Sequence, residues 1–363
     1  KTGDQRLWIW FGVLAGLGLQ NKYSMAVFGF AVIVGLLLTP QRRFFQGRWI
    51  WVAGGIALLV FLPNLVWNIR HHFPFVEMMQ NVKASGRDVE PGPARYLLEQ
   101  ILVMNPLTFP VWLAGLLFLF FSREGKPYRA LGWAFLTTLA VFTALKGKSY
   151  YPTPAYPLLL AAGAVAIEKF TASGRRAWLK PATVIVLLAG TAALLPIALP
   201  VLPVEAYLRY QERLPFELPR SEKSHLAAAL PQYYADDFGW EEMTAAVARV
   251  YHSLPVEEQA KAAIFGNNFG EAGAIDFFGP KYGLPKAIGG HQNYFLWGPR
   301  NYTGEILIVL GDDPESLRRW CNQVEVAAEL CHPYNPLEND PVLVCRGLKW
   351  NLQEIWPKLK NWE

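Results

Sequence analysis

A single polar interruption, Asn21-Lys22-Tyr23-Ser24, breaks an otherwise apolar stretch running from Leu7 to Leu38. That break constrains the fold more than any other feature. The stretch is too long for one ordinary membrane helix and too short for two full ones, because a crossing takes about 20 residues at 1.5 Å each. Two short helices meeting at the interruption put their turn below the membrane surface. A lysine at the bilayer centre costs roughly 2.5–3.5 kcal/mol on insertion scales unless something anionic or wet meets it. Lys22 therefore marks a candidate site.

The composition changes sharply near position 203. Long apolar runs with short charged loops fill residues 7–202, and a mixed, soluble-type composition fills the remainder. The pattern predicts a polytopic α-helical membrane domain over 1–203 and a small α/β soluble domain over 204–363. About seven spans are expected, at roughly 7–20, 23–38, 49–69, 97–121, 130–146, 153–169 and 180–202. Three alternate loops are basic, with Arg42, Arg43 and Arg48, then Arg123, Lys126 and Arg129, then Lys169, Arg175, Arg176 and Lys180. By the positive-inside rule these loops are cytoplasmic. The Lys22 turn, the 70–96 and 146–152 loops and the C-terminal domain then fall outside, which for a bacterial inner membrane is the periplasm. The net charge of +5 resides mainly in these loops, so no nucleic-acid partner is implied. The chain opens Lys1-Thr2-Gly3 without an initiator Met, and further N-terminal sequence is expected.

In the C-terminal domain, helix and strand signals alternate. Residues 240–253 carry helical spacing, 262–265 read as a buried strand and 271–282 as helix. Residues 305–310 (EILIVL) form a strand, 314–321 a helix and 341–345 a last strand. Such alternation argues for a small α/β sheet domain. The Pro- and charge-rich 203–238 segment reads as a linker or a cover over the membrane. All three cysteines, Cys321, Cys331 and Cys345, lie in this domain. An oxidising compartment permits one disulfide among them, with the pairing open, and their spacing is not that of a zinc site.

On the predicted outer face, three segments bring unusual groups together. They are Lys22 with Tyr23; Asn68, Arg70, His71 and His72 ending the third span; and Lys146, Lys148, Tyr150 and Tyr151 at the mouth of the fifth and sixth. Cations at the membrane interface suit a lipid-linked phosphate, which lysine and arginine bind by charge-assisted hydrogen bonds. Interfacial tyrosines can hydrogen-bond and pack on an isoprenoid tail. Each group also has a plainer account. Arg70, Lys146 and Lys148 can snorkel to headgroups, His71 and His72 can be ordinary loop residues, and the tyrosines can belong to an aromatic belt. Lys22 is different: its short flanking helices are expected to hold it deep, and there a functional role is favoured over the plainer account.

At these residues the chain resembles bacterial glycosyltransferase family 39, the protein-mannosyltransferase-like GT-C enzymes related to the lipid A aminoarabinose transferase. The resemblance rests on GLGLQNKYSM, LPNLVWNIRHHFPF, NPLTFPVWLAGLL and KGKSYYPTPAYPLLLAAGAVAIE, then on GEAGAIDFFGPKYGLP and HQNYFLWGP. It implies a multispanning transferase using a polyprenyl-phosphate-linked sugar on the outer side of the membrane. The family's lysine after a Gly/Leu-rich helix matches Lys22, implying a role near the donor phosphate. Its Tyr-x-x-Pro pattern matches Tyr151 with Pro154. Its catalytic Asp, commonly followed by Glu, has no counterpart, since Asp4 is the only Asp before position 88 and falls on the cytoplasmic side. The general base is therefore expected in preceding sequence, and this fragment alone is expected to be inactive.

In such a reaction a carboxylate deprotonates the attacking acceptor and cations offset the charge developing on the leaving phosphate. Glu77, Asp88, Glu90 and Glu99 can contribute to acceptor or metal binding, but none is assigned as base. No cofactor is expected, a divalent cation is left open, and the acceptor can be a lipid, a glycan or a protein. Asn293, Tyr294 and Trp297 suit carbohydrate stacking, with a buried aromatic turn as the plainer account. Two readings of other classes are a transporter or flippase of a lipid-linked sugar, and a membrane-anchored sensor with an outer ligand-binding domain.

Overall fold

The computed structural model describes residues 4–172, 174–216, 218, 222–223, 228–335 and 339–363. The first helices are α1 (Leu7–Asn21), α2 (Met25–Leu37), α3 (Arg48–Arg70), α4 (Pro74–Ser85) and α5 (Pro93–Val103). They are followed by α6 (Phe109–Phe121), α7 (Arg129–Ala144), α8 (Tyr156–Phe170), α9 (Leu179–Ala198) and α10 (Val204–Gln211). The described residues divide into two compact units. One comprises 4–73 and 90–215; the other comprises 74–89 and the described part of 216–363.

In the helical unit the Asn21–Ser24 interruption separates α1 from α2 as expected. Two stretches, Arg48–Arg70 and Gly174–Ala198, are long and apolar enough to cross a membrane. Two bent pairs raise the number to four if each is one span. Helices α1, α7 and α8 occupy other expected positions but, at 15, 16 and 15 residues, are shorter than a full crossing.

The expected fourth span, 97–121, is not a continuous helix. Its two halves, α5 and α6, are bent by 94°. The cause is local. Asn105 sits at φ 60° ahead of Pro106, and a residue preceding proline is driven out of the α region. Inside the elbow, α6 and α8 cross through paired glycines. A Cβ on Gly115 would collide with the Leu159 carbonyl, and one on Gly163 with the Val111 carbonyl. Small residues let helix backbones approach this closely where no water drives association. Phe135, Tyr156 and Leu159 form the buried centre of the unit.

The second unit contains the short helices α11 (Gln232–Ala235) and α13 (Val256–Gln259) around the longer α12 (Trp240–Ser253). After them come α14 (Phe269–Phe278), α15 (Asn293–Trp297) and α16 (Pro314–Arg318). Strands β1 (Ala262–Gly266), β2 (Ile306–Leu310), β3 (Cys321–Ala328) and β4 (Val342–Leu348) form one sheet in the order β1-β2-β4-β3. The β1–β2 pair is parallel and the other two pairs are antiparallel. All five residues of β2 are buried, because α12 and α14 cover one face while Leu317, Leu352 and Trp356 cover the other. A strand covered on both faces reads as a continuous apolar run, which is why EILIVL is legible.

Two details differ from the sequence reading. The helix expected over 314–321 stops at Arg318, and Cys321 opens β3, an edge strand absent from that reading. Helix α4 lies within what reads as the 70–96 loop, and it packs with the α/β unit. There Lys360 Nζ meets Glu77 at 2.6 Å, and Asn81 donates to the Trp362 carbonyl at 3.0 Å. The disulfide joins Cys321 to Cys345, leaving Cys331 as an exposed free thiol.

Candidate functional site around Lys22

The turn between α1 and α2 presents Lys22 to the loop joining α7 to α8. Its ammonium lies 6.0 Å from the Tyr150 ring centroid and 5.3 Å from that of Tyr151. Among the described residues Lys22 meets no carboxylate. The two tyrosine rings are edge-to-face at 5.1 Å, and Tyr151 rests on Phe142, which in turn contacts Phe28 of α2. An aromatic chain therefore ties the lysine-bearing turn to the tyrosine-bearing loop. The adjacent Tyr23 points into α3, where its hydroxyl lies 3.2 Å from Asn64 Oδ1 and accepts from Asn68 Nδ2 at 3.0 Å. Asn68 is buried and also donates to Asn64 Oδ1 at 2.8 Å.

From α5 and α8, buried polar side chains hold the tyrosine loop. Gln100, only 2% exposed, donates to the Ser149 carbonyl at 2.8 Å and accepts from the Tyr156 hydroxyl at 3.2 Å. The Tyr96 hydroxyl donates to the Lys148 carbonyl at 3.3 Å. Lys146, at φ 51°, starts the loop and pairs with Glu90 at 2.5 Å. Beside this scaffold the α5–α6 elbow borders an open apolar groove of about 480 Å³, lined by Leu97, Leu98, Phe109, Trp112 and Tyr156 among others. Trp112 is nine-tenths buried, and its indole N–H has no partner among the described residues.

The sequence-predicted residues thus separate. Lys22, Tyr150 and Tyr151 converge, with Tyr23 beside them on the Asn64–Asn68 amides. Lys148 belongs to the same loop. Lys146 is drawn to Glu90. Among the described residues no hydrogen bond, ion pair or ring contact brings Arg70, His71 or His72 to Lys22. His71 stacks on Trp67 at 4.3 Å, while Arg70 and His72 are exposed. Of the four carboxylates named above, Glu99 is buried and pairs with Arg95 at 2.9 Å. Among the described residues no group of three or more His, Cys, Asp or Glu side chains is placed to hold a metal.

In the α/β unit, Tyr294 is buried and its hydroxyl donates to Asp276 at 3.2 Å. Burial, reinforced by the Asp276 charge, pushes its pKa up to about 12. Trp297 packs against it edge-on at 4.7 Å and is 61% exposed, and Asn293 is exposed. An exposed indole backed by a fixed phenol has the form of a stacking platform.

Sequence reasoning missed Asn64, Tyr96, Gln100 and Tyr156. Only a buried amide in an otherwise apolar run could have flagged Gln100, and the 97–121 reading hid it inside a span.

Comparison with known proteins gives one match. Residues 1–67 match the family model described as dolichyl-phosphate-mannose-protein mannosyltransferase, a region that includes Lys22, Tyr23 and Asn64. No curated protein and no solved structure matches the chain significantly. The apolar helices make this an integral membrane protein. Its N-terminal segment is similar to dolichyl-phosphate-mannose-protein mannosyltransferases over 67 of 363 residues.

Proposed function

We propose that the protein is a membrane glycosyltransferase that takes a sugar from a polyprenyl-phosphate-linked donor and passes it to an acceptor on the outer, periplasmic side of the inner membrane. The observation that carries this reading is the meeting of Lys22 with the adjacent pair Tyr150 and Tyr151, far from it in sequence and brought to it within the helical unit. The similarity of residues 1–67 to a lipid-phosphate-sugar family supports the same chemistry. In this reading the Lys22 ammonium binds the donor phosphate and stabilises the charge it gains as the glycosidic bond breaks. The tyrosine hydroxyls donate to phosphate oxygens, and the ring faces keep the ammonium directed at them. The elbow groove, lined by Leu97, Leu98 and Phe109, offers room for the isoprenoid tail. No general base is assigned among the described residues.

Lys22→Ala in the complete protein tests the proposal. Transfer from a polyprenyl-phosphate sugar should fall roughly 100-fold, as when a transition-state charge partner is removed, while membrane insertion is unchanged. Lys22→Arg should restore part of the rate. Near-normal transfer by a correctly inserted Lys22→Ala protein rejects the assignment.

A further inference from the structure

A second cleft, of about 530 Å³, opens between the C-terminal ends of α6 and α8. Its walls are apolar, built from Leu117, Phe118, Ile167 and Phe170, and its rim carries Arg123, Glu124 and Lys169. Lys169 pairs with Glu124, whereas Arg123 meets no carboxylate among the described residues. Arg176 places its guanidinium 4.4 Å over the ring of Phe170, one of the wall residues, and likewise has no carboxylate partner among the described residues. The segments framing the cleft, 122–129 and 168–180, hold seven basic and two acidic side chains.

Helix C-termini repel anions through their free carbonyls, so the charge balance here depends on what those carbonyls do. Arg129 donates to the Phe120 carbonyl at 2.6 and 3.0 Å, and Thr171 Oγ1 donates to the Ile167 carbonyl at 2.7 Å. The terminal carbonyls are partly covered, Arg123 stands on the rim without a carboxylate partner among the described residues, and Arg176 lies over the ring of the wall residue Phe170. An apolar wall topped by these cations matches a molecule with a hydrocarbon chain below and a phosphate above. A free phosphate would leave the wall unused, and a zwitterionic headgroup would bring its own cation to the arginines.

We propose that this cleft is a binding site for an anionic glycerophospholipid, with an acyl chain against Leu117, Phe118 and Ile167 and the phosphate met by Arg123 and Arg176. The site is separate from the Lys22 cluster and independent of the transferase reading.

The experiment uses the purified full chain in detergent, exposed to equal amounts of dioleoylphosphatidylglycerol and dioleoylphosphatidylcholine, with retained lipid measured by native mass spectrometry. The wild type should retain the anionic lipid several-fold better. A basic residue near the surface is worth about 1 kcal/mol toward anionic lipid, so Arg123→Gln and Arg176→Gln should each lower that retention by about fivefold. Neither should change retention of the zwitterionic lipid. Arg43→Gln, in a basic loop that does not line the cleft, should leave the preference intact. Leu117→Trp, which fills the cleft without altering charge, should lower retention even if an arginine variant fails to fold, and inorganic phosphate should not displace the lipid. Equal retention of the two lipids, an Arg43→Gln loss as large as that of Arg123→Gln, unchanged retention in Leu117→Trp, or displacement by phosphate would each overturn the proposal.

Discussion

At the residue scale, the environment of Lys22 is favourable but incomplete. A cation over an aromatic ring gains about 0.5–1 kcal/mol when exposed and about 2 when desolvated. Insertion of a lysine at the bilayer centre costs roughly 2.5–3.5 kcal/mol. Lys22 is exposed in the structure; at the depth proposed above, the rings of Tyr150 and Tyr151 would hold its ammonium without fully compensating it, and an anion or water would do the rest. The α/β unit shows a different imbalance at Asp312. Burial pushes this carboxyl above the usual range, offset in part by the Asp313 N–H and reinforced by the charges of Asp313 and Asp340. A carboxyl whose folded pKa is raised contributes stability below its unfolded pKa, and that contribution is lost as pH rises through the folded value. Asp312→Asn keeps the acceptor for the Asp313 N–H and removes the ionisation. Thermal melts should show the variant more stable than the wild type at pH 7.5, with the difference vanishing in acid below the ordinary carboxylate range. The group is only half-buried, so screening keeps the gain small, about 0.5 kcal/mol. A variant less stable at both pH values would contradict this account.

At the element scale, the α6–α8 crossing fixes where the tyrosine loop can lie, because α8 carries Tyr156 and the loop enters it directly. Gly115→Val places a branched side chain into the Leu159 backbone, not into a movable side-chain end. The helices must separate, and overpacking of this kind costs about 1–3 kcal/mol or more. Detergent-solubilised protein should show a lower melting temperature and weaker Gln100 support of the loop. An unchanged melting temperature would mean the crossing is softer than its geometry. Elements were legible where burial imposed a pattern. The α1–α2 break, the apolar β2 and the α12 period all announce themselves. The α5–α6 elbow carried its signal in Asn105-Pro106, which was masked by apolar residues on both sides. Strand β3 gave none, because an edge strand with Asn322, Gln323 and Glu325 exposed has no apolar run to read. The proximity of Lys22 to Tyr150 and Tyr151 involves residues that the sequence already singles out, because a lysine between apolar helices and paired tyrosines at a helix mouth are unusual. The amides that position them were not legible, since Asn64 and Gln100 acquire meaning only from their partners.

At the scale of the whole molecule, the chain passes between its two units more than once, since 74–89 packs with the α/β unit although it lies between helices of the other. Composition marks where the apolar runs stop, near 203, and carries no information about which unit a polar segment joins. The Cys321–Cys345 bridge closes a loop with a sequence separation of 24, worth about 3 kcal/mol on the chain-entropy account. Such bridges persist in oxidising compartments, and the proposed outward placement of the α/β unit is directly testable. Cys331 supplies a built-in reporter, being exposed and unbridged. A membrane-impermeant maleimide added to intact spheroplasts should label Cys331. In a Cys331→Ser background, Lys126→Cys, in the second basic loop, should stay unlabelled until the cells are lysed. Labelling of Lys126→Cys before lysis, with Cys331 protected, would invert the orientation and turn the Lys22 turn toward the cytoplasm. A donor site read as facing outward would then have to draw its lipid-linked sugar from the opposite leaflet.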